Sequence, residues 1–291
     1  MDEALVLCRS LQFASAMLLF GASLFQSTIA PVGLARALDP SLQQISKAAG
    51  FVVLATAIAW LLLSAGEMGE GWADVWNPSA IGSILLDTNF GRVWLWRLGF
   101  AIVLLGVLAF SRDNHWPAVA LLATLTLGSL GLVGNAVMRA GVLGWLNKLS
   151  QITHLLATGF WLGSLVPLVA SLRLAGDPNT SANARVALQK FSGLGYVAVV
   201  TVVATGVVNT WLVLDEFPMD VSSPYQALLV AKIVLVAIML AFALTNRYVL
   251  VRRFDSAPDA VRLLRWSAIA EIVIGLGAVG LVSAIGILPP T

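Results

Sequence analysis

The sequence predicts an all-α polytopic membrane protein with eight transmembrane helices. Three observations support this fold class: apolar runs of about twenty residues follow one another along almost the whole chain, only 11% of the 291 residues are charged, and the mean hydropathy is +0.90. A hydrocarbon core of roughly 30 Å needs about 20 helical residues to cross it. A chain of this composition has too little polar surface to form a soluble domain.

On this length criterion the eight predicted spans cover residues 4–30, 46–66, 90–110, 117–137, 150–171, 193–214, 225–246 and 265–287. The first run is too long for the apolar part of a signal peptide, and it follows Asp2 and Glu3 rather than a basic start. We therefore expect it to remain as a membrane helix. The segment 78–87, between spans two and three, has the length and mixed polarity of an interfacial helix.

Basic residues concentrate on one side of the predicted bundle. The connections after spans one, three, five and seven carry most of the lysines and arginines, whereas the opposite side is rich in aspartate and glutamate. The positive-inside rule places the basic side in the cytoplasm. Both termini are therefore predicted to lie outside.

Polar landmarks recur in the two halves of the chain. The interval from Gln12 to Gly21 equals the interval from His154 to Gly163. Four helices return the chain to the side where it started, so two such units would be parallel and related by an axis along the membrane normal. Chance similarity in apolar sequence of low diversity is the alternative interpretation.

The predicted repeats are residues 1–137 and 138–291. Arg97 in the third span is then equivalent to Lys232 in the seventh, and polar groups of both repeats converge in the outer half of the bundle. Membrane proteins built from parallel repeats commonly bind their ligand where the repeats meet. The sequence therefore predicts a shared site that opens outward.

Ionisable side chains inside the spans indicate where that site lies. A charged residue near the bilayer centre costs about 2.5 to 3.5 kcal/mol, so Arg97, Lys232, His154 and Glu271 are expected to face the bundle interior. The two cations could neutralise a carboxylate, bind an anionic group or extend outward along the helix. Glu271 is either a proton or cation relay near the inner exit or an inert protonated carboxyl.

Three residues have the chemistry of metal ligands. Helical spacing places Ser150, His154 and Thr158 on one face, and imidazole is the commonest metal ligand in proteins, although a single buried histidine often only bonds a neighbouring helix. Cys8 and Met17 lie on the first span. Thiolate and thioether groups suit monovalent copper, and a buried cysteine and a core methionine are the alternative.

Further polar residues complete the predicted path through the membrane. They are Gln12, Asn135, Tyr196, Asn209 and Asn246. Met138 follows Asn135 closely, so the end of span four would bring an amide and a second thioether near His154. Glycine followed by asparagine is also common where a helix ends, which is the other interpretation of this segment.

Several functional classes are excluded by composition. The single Cys8 permits neither an internal disulfide nor a CxxC pair, and a formal charge of +2 indicates no nucleic-acid partner. Two histidines are too few for a multi-haem protein, and His115 lies in an inner loop, so no haem is expected. The chain has no paired carboxylates on one helix and no nucleophile beside a histidine. We therefore expect no enzyme and no catalytic residues.

The segment HLLATGFWLGSL at 154–165 resembles the hallmark of the copper resistance protein D family. Five other stretches agree with the family in order and spacing: FGRVWLWRL at 90–98, ATGVVNT at 204–210, SPYQALLVAK at 223–232, NRYV at 246–249, and EI at 271–272 leading to LPP at 288–290. The similarity covers nearly the whole chain.

The chain also departs from the family pattern. Members tend to carry histidine at three positions where this sequence has Gln12, Asn135 and Tyr196, and only His154 remains of that set. Amides and a phenol are poor ligands for a soft cation. The resemblance therefore implies a copper ion as the bound species, but with an incomplete ligand set that Cys8, Met17 and Met138 would have to supplement.

The resemblance implies a multi-pass protein of the bacterial inner membrane with periplasmic termini. Its expected function is copper homeostasis, with copper moving from the periplasm to the cytoplasm. Two alternatives stand beside it: a non-transporting scaffold in the lipid bilayer that docks a periplasmic copper-binding protein, and a divergent member whose cargo is anionic or chelated. The positive charges of Arg97 and Lys232 argue against passage of a bare copper ion, because each would repel it in a low dielectric. Either acidic side chains pair with these cations, or the cargo is anionic or chelated.

Overall fold

The computed structural model describes residues 1–69, 71–111, 115–134, 141–214, 222–254 and 258–289. Nine α-helices and no β-strand occupy these parts of the chain. The helices are α1 (Asp2–Leu24), α2 (Val32–Met68), α3 (Pro78–Asp87), α4 (Asn89–Phe110), α5 (Trp116–Ser129), α6 (Gly141–Leu174), α7 (Pro178–Leu214), α8 (Pro224–Thr245) and α9 (Pro258–Ile285). Short π-helical turns follow α1 at Phe25–Ile29 and α8 at Asn246–Leu250.

The predicted fold class is confirmed. Seven helices of the described residues are long and apolar enough to cross a membrane: α1, α2, α4, α6, α7, α8 and α9. The fourth predicted span corresponds to a shorter apolar helix, Trp116–Leu132, and the end of that prediction lies outside the described residues. A short helix is present at Pro78–Asp87, where Asn77 accepts a hydrogen bond from the backbone N–H of Ser79.

Three helices extend well beyond their predicted spans. Helix α2 begins at residue 32, where the predicted span begins at 46, and α7 begins at 178 instead of 193. Helix α6 begins at 141 instead of 150. Hydropathy detects only the apolar part of a helix, whereas the added turns carry polar side chains such as Arg36, Arg185 and Asn147. The sequence criterion therefore located the membrane crossings but not the full helices.

One end of the bundle collects both chain termini. Residues at the start of α1, the end of α2, the start of α8 and the end of α9 line one common cavity, including Leu5, Met68, Tyr225 and Ile285. We name this end the termini face. The opposite end, the basic face, carries these arginines and lysines of the described residues: Arg36, Lys47, Arg173, Arg185, Lys190, Arg247, Arg252, Arg253, Arg262 and Arg265.

Helices α1 and α6 pack together at the centre of the bundle. Helix α1 also contacts α2, α5 and α9, and α6 also contacts α5, α7 and α9. Gly21 and Gly163 lie at the crossing, where the Ser164 hydroxyl donates to the Gly21 carbonyl at 3.0 Å. A Cβ atom on Gly163 would collide with the Met17 carbonyl, so only glycine permits this approach.

Replacing Gly163 with alanine should destabilise the bundle. The added methyl group meets backbone atoms of Met17, and overpacking of this kind typically costs about 1–3 kcal/mol. We expect a lower thermal unfolding temperature in detergent. The matched control is Gly280→Ala, because nothing lies within 4 Å of a Cβ at Gly280 and alanine is the better helix former. Equal melting of the two variants would contradict the close crossing.

Candidate functional site

A cavity of about 500 Å³ occupies the half of the bundle near the termini face. Residues of α1, α2, α4, α6, α7, α8 and α9 line it, together with residues 130, 133 and 134 after α5. It extends from Met68 and Ile287 at the termini face to Trp161 and Met239 near the middle of the bundle. Its volume lies in the range of ordinary small-molecule sites.

Four of the predicted site residues line this cavity. They are His154 on α6, Met17 on α1, Asn209 on α7 and Lys232 on α8. Each of the four comes from a different helix, so they meet only because these membrane segments pack together. Lys232 lies eight residues into α8, about 12 Å along the helix from its start at the termini face.

The tautomer of His154 follows from its neighbour Thr205. The Thr205 hydroxyl donates to the Thr201 carbonyl at 2.6 Å, and its oxygen lies 2.9 Å from His154 Nδ1. Because the single hydroxyl proton is used, Thr205 must accept from Nδ1–H. The lone pair then lies on Nε2, which is the arrangement found in metal-binding histidines whose other nitrogen donates. Gly206 lies beside the ring, and a Cβ atom added to it would make an ordinary van der Waals contact with His154 at 3.6 Å.

Amide and hydroxyl groups surround the imidazole ring. Asn209 Nδ2 donates to Gln151 Oε1 at 2.9 Å, one turn of α6 before His154. Asn209 Oδ1 and the Thr158 hydroxyl are buried without a protein partner among the described residues. Buried polar atoms usually have partners, so these two remain available to a ligand or to water.

Two cations and one acid line the same cavity. Lys232 pairs with no acidic side chain among the residues that the structure describes. Arg9, on α1, donates to the Gly286 carbonyl at 3.0 Å, and its guanidinium lies 4.9 Å from the ring centroid of Trp60. Glu67, near the end of α2, is the acid. The sequence alone does not identify Arg9 as a site residue. It lies within two turns of a helix end, where a long cationic side chain often extends to the membrane surface instead of facing the interior.

Arg97 lies behind the cavity wall and does not line the cavity. It is fully buried, its Nε donates to Ser129 at 3.0 Å, and its guanidinium lies 4.0 Å from the Trp94 ring and 5.9 Å from the Trp60 ring. Cation–π contacts of this type are strongest where water is excluded. Trp60 separates Arg97 from the cavity and also contacts Arg9 on its cavity side.

Cys8 and Gln12 join α1 to α2 and do not line the cavity. The Cys8 thiol donates to the Thr56 carbonyl at 3.2 Å, and the Thr56 hydroxyl donates to Gln12 Oε1. Both side chains are buried in this contact. The structure therefore does not bring Cys8 together with His154. The predicted Asn135 and Met138 lie outside the described residues.

A second, smaller cavity of about 70 Å³ lies toward the basic face and contains the remaining predicted residues. Tyr196, Asn246 and Glu271 line it, together with Arg247, whose guanidinium lies 5.1 Å from the Tyr196 ring. Glu271 accepts from Asn246 Nδ2 at 2.7 Å. Asn246 begins the π-helical turn after α8, and such turns are frequent at functional sites.

Trp161 stands between the two cavities and lines both. Its indole N–H donates to Glu271 Oε2 at 3.2 Å. The residue lies two helical turns after His154 on α6, inside the segment 154–165, but nothing in the sequence distinguishes it from the other nine tryptophans. Only the packing of α6 against α9 gives it this position.

Comparison with known proteins assigns the chain to a family. The family model described as "Copper resistance protein D-like, N-terminal domain" matches residues 1–145, and the one described as "Copper resistance protein D" matches residues 185–285. The chain belongs to the copper resistance protein D family. This confirms the resemblance found in the sequence motifs.

Two relatives are similar over almost their full length. Inner membrane protein YebZ of Escherichia coli (strain K12) is 33% identical over 283 residues, which cover 97% of this chain and 97% of that protein. Copper resistance protein D of Pseudomonas syringae pv. tomato is 27% identical over 305 residues, covering 99% of this chain and 97% of that protein.

The described residues of this family member do not assemble a complete metal site. No group of three or more histidine, cysteine, aspartate or glutamate side chains comes together in the described parts of the chain. The cavity offers one imidazole nitrogen, from His154, and the thioethers of Met17 and Met239 deep in its walls and of Met68 at its mouth.

The hydrogen-bond arrangement predicts the tautomer of His154. Nitrogen-15 NMR of imidazole-labelled protein should show a protonated Nδ1 and an unprotonated Nε2 for this residue, assigned with a His115→Asn variant. Thr205→Val removes the hydroxyl acceptor and should weaken the preference, with the Val202 backbone left as the other hydrogen-bond partner of the ring. Thr201→Val should leave the preference unchanged, because the Thr201 hydroxyl bonds only Val197. An unprotonated Nδ1 in the wild-type protein would contradict the geometry.

Proposed function

We propose that this protein is a copper permease of the inner membrane, which admits copper at the termini face and passes it toward the basic face. The single observation that carries the proposal is the large cavity, because it leads from the termini face to an unprotonated imidazole nitrogen of His154 at mid-bundle. Membership of the copper resistance protein D family supports copper as the cargo.

The proposed orientation follows from charge. Ten arginine and lysine residues of the described parts lie on the basic face, while Asp2, Glu3, Glu67, Asp74 and Asp87 lie toward the termini face. The positive-inside rule assigns the basic face to the cytoplasm, so both termini and the mouth of the large cavity are periplasmic. One relative is named an inner membrane protein, and this supports the inner membrane as the location of the chain. Transport is inward on this orientation.

His154 is the proposed first ligand. Neutral imidazole binds copper well, and the thioethers of Met17 and Met239 suit its monovalent state. Acidic groups at the termini face raise the local concentration of cations. Asn209, one turn of α7 beyond Thr205, would orient ligands around the metal through its unpaired Oδ1.

The proposed path continues past Trp161 into the smaller cavity. The Trp161 indole and the Glu271 carboxylate close the passage through their hydrogen bond. Rotation of the indole away from Glu271 would join the two cavities and expose a carboxylate, with Asn246 and Tyr196 beside it, to the moving ion. Lids of this type commonly move on the μs–ms timescale.

A second candidate function is a receptor that holds copper for a periplasmic copper-binding partner without transporting it. The observation that favours it is the same closed contact, because Trp161 and Glu271 seal the lower end of the large cavity. Uptake separates the two functions. A receptor binds copper at His154 but leaves the interior of a liposome free of it.

Removing the imidazole should stop transport. We expect His154→Ala to lower copper uptake into proteoliposomes at least about tenfold. This is the smallest loss of affinity or activity typical of a metal site that loses even a supporting residue. Copper inside the vesicles is measured by atomic absorption after external copper is chelated. The control is His115→Ala, because His115 stacks on Trp116 at the basic face and lines neither cavity.

Equal uptake by His154→Ala and wild-type protein would overturn the assignment of His154. Stoichiometric copper binding by the wild-type protein without any uptake would favour the receptor over the permease. Absence of both binding and uptake would overturn the copper function itself.

Weakening the Trp161 contact should accelerate passage. Trp161→Phe keeps an aromatic ring but loses the indole N–H that bonds Glu271. A hydrogen bond to a charged group contributes about 1.5–3 kcal/mol, so downhill copper flux should rise by at least about tenfold if opening limits the rate. Trp266→Phe is the control, since Trp266 is exposed and lines neither cavity. Unchanged flux in Trp161→Phe would show that this contact is not the barrier.

A further inference from the structure

The large cavity is much bigger than one metal ion requires. A water molecule occupies about 30 Å³ of liquid volume, so a cavity of about 500 Å³ holds a copper ion and many other atoms. Sites of this size usually enclose an organic ligand. Sites for a single metal ion are instead built from side chains that converge on one point, and the described residues contain no such group of three.

The charges in the walls are wrong for a bare cation. Lys232 and His154 line the same cavity, and no acidic side chain of the described residues neutralises Lys232. Arg9 adds a second positive charge higher in the cavity. Glu67 is the one acid that lines the cavity among the described residues, and it lies near the mouth. A copper ion at His154 would be repelled by Lys232 in a medium of low dielectric constant.

An anion bound together with copper would explain both the size of the cavity and the positive charge of its walls. We propose, on the basis of the permease function above, that the cavity binds copper as a complex with a small organic carboxylate. His154 Nε2 supplies one ligand to the metal, Lys232 pairs with a carboxylate of the chelator, and the remaining metal ligands belong to the chelator. The net charge in the cavity is then balanced.

The rest of the wall fits such a complex. Aliphatic side chains face the carbon skeleton of the chelator; they include Leu155, Leu162, Val202 and Leu229. The unpaired Thr158 hydroxyl can donate a hydrogen bond to a carboxylate of the chelator, and the unpaired Asn209 Oδ1 can accept one from a hydroxyl group. A pocket that is mostly apolar with a few placed polar groups is typical of small-molecule sites.

The test uses citrate as the probe, because it binds divalent copper through carboxylates and leaves the complex anionic. Purified full-length protein in detergent receives a fixed amount of Cu²⁺ and increasing amounts of radiolabelled citrate, and both are measured after gel filtration. A site for the bare ion loses copper as citrate rises, because the two compete. The proposal requires the reverse: copper occupancy rises and citrate is retained at one per copper.

Variants at Lys232 decide whether the anion site is the one proposed. Lys232→Met should reduce citrate retention at least tenfold, and citrate should then strip copper from the protein. Lys232→Arg keeps the charge and should restore retention, which separates loss of charge from misfolding. Lys148→Met is the matched control, because Lys148 stacks on Trp145 and does not line the cavity. It should behave as the wild-type protein does.

Citrate that removes copper from the wild-type protein, or that is never retained, would overturn the inference. The permease function would survive that result if His154-dependent uptake still occurred in buffer without citrate. Citrate retained equally by Lys232→Met and the wild-type protein would also overturn the inference, since an anion is then bound without Lys232. Loss of all uptake, with or without citrate, would instead overturn the permease function.

Discussion

Helices α1 and α6 cross so closely at Gly21 and Gly163 that neither residue tolerates a Cβ atom, and the shape of the bundle follows from this crossing. On the side of the termini face the two helices line opposite walls of the large cavity, from Leu5 to Met17 on α1 and from Asn147 to Leu162 on α6. The residues of the crossing therefore lie next to two residues of the cavity wall, Met17 and Leu162. Because lipid offers no hydrophobic driving force between helices, small residues that permit such close packing are what hold them together.

The polar groups inside the bundle separate into distinct environments. Arg97 is held by the faces of two tryptophans and by Ser129, which lets a cation exist in the membrane with no acidic partner among the described residues. Lys232 has no such aromatic support and lines a space large enough for a ligand. Arg97 and Lys232 lie equally far along their helices but differ in role. Arg97 stabilises the contact of α4 with α2 and α5, whereas Lys232 is available to a ligand that enters from outside.

Much of this could be predicted from the sequence, and the remainder depends on packing. Apolar length predicted the membrane crossings, and the cost of a charged side chain in lipid predicted interior positions for His154 and Lys232, which both line the large cavity. Spacing along one helix cannot tell which neighbouring helix a side chain contacts. The sequence therefore grouped Cys8 and Gln12 with His154, whereas the structure shows both of them bonded to α2. Gln12 and His154 each bond a threonine of the next helix, and Gly21 meets Gly163 directly, but the duplication itself stays a prediction.

The sign of the available charge changes along the proposed path. The large cavity holds Lys232 unpaired by any described acid, whereas beyond Trp161 the carboxylate of Glu271 is held by two neutral donors, Trp161 and Asn246. An anionic copper complex is favoured in the first environment and disfavoured in the second, while a bare copper ion has the opposite preference. Arg247 lines the second cavity too, but its guanidinium is directed to Ser192 and Tyr196. Passage past Trp161 would therefore require the carboxylate chelator to dissociate, leaving the anion with Lys232 and giving the metal to Glu271.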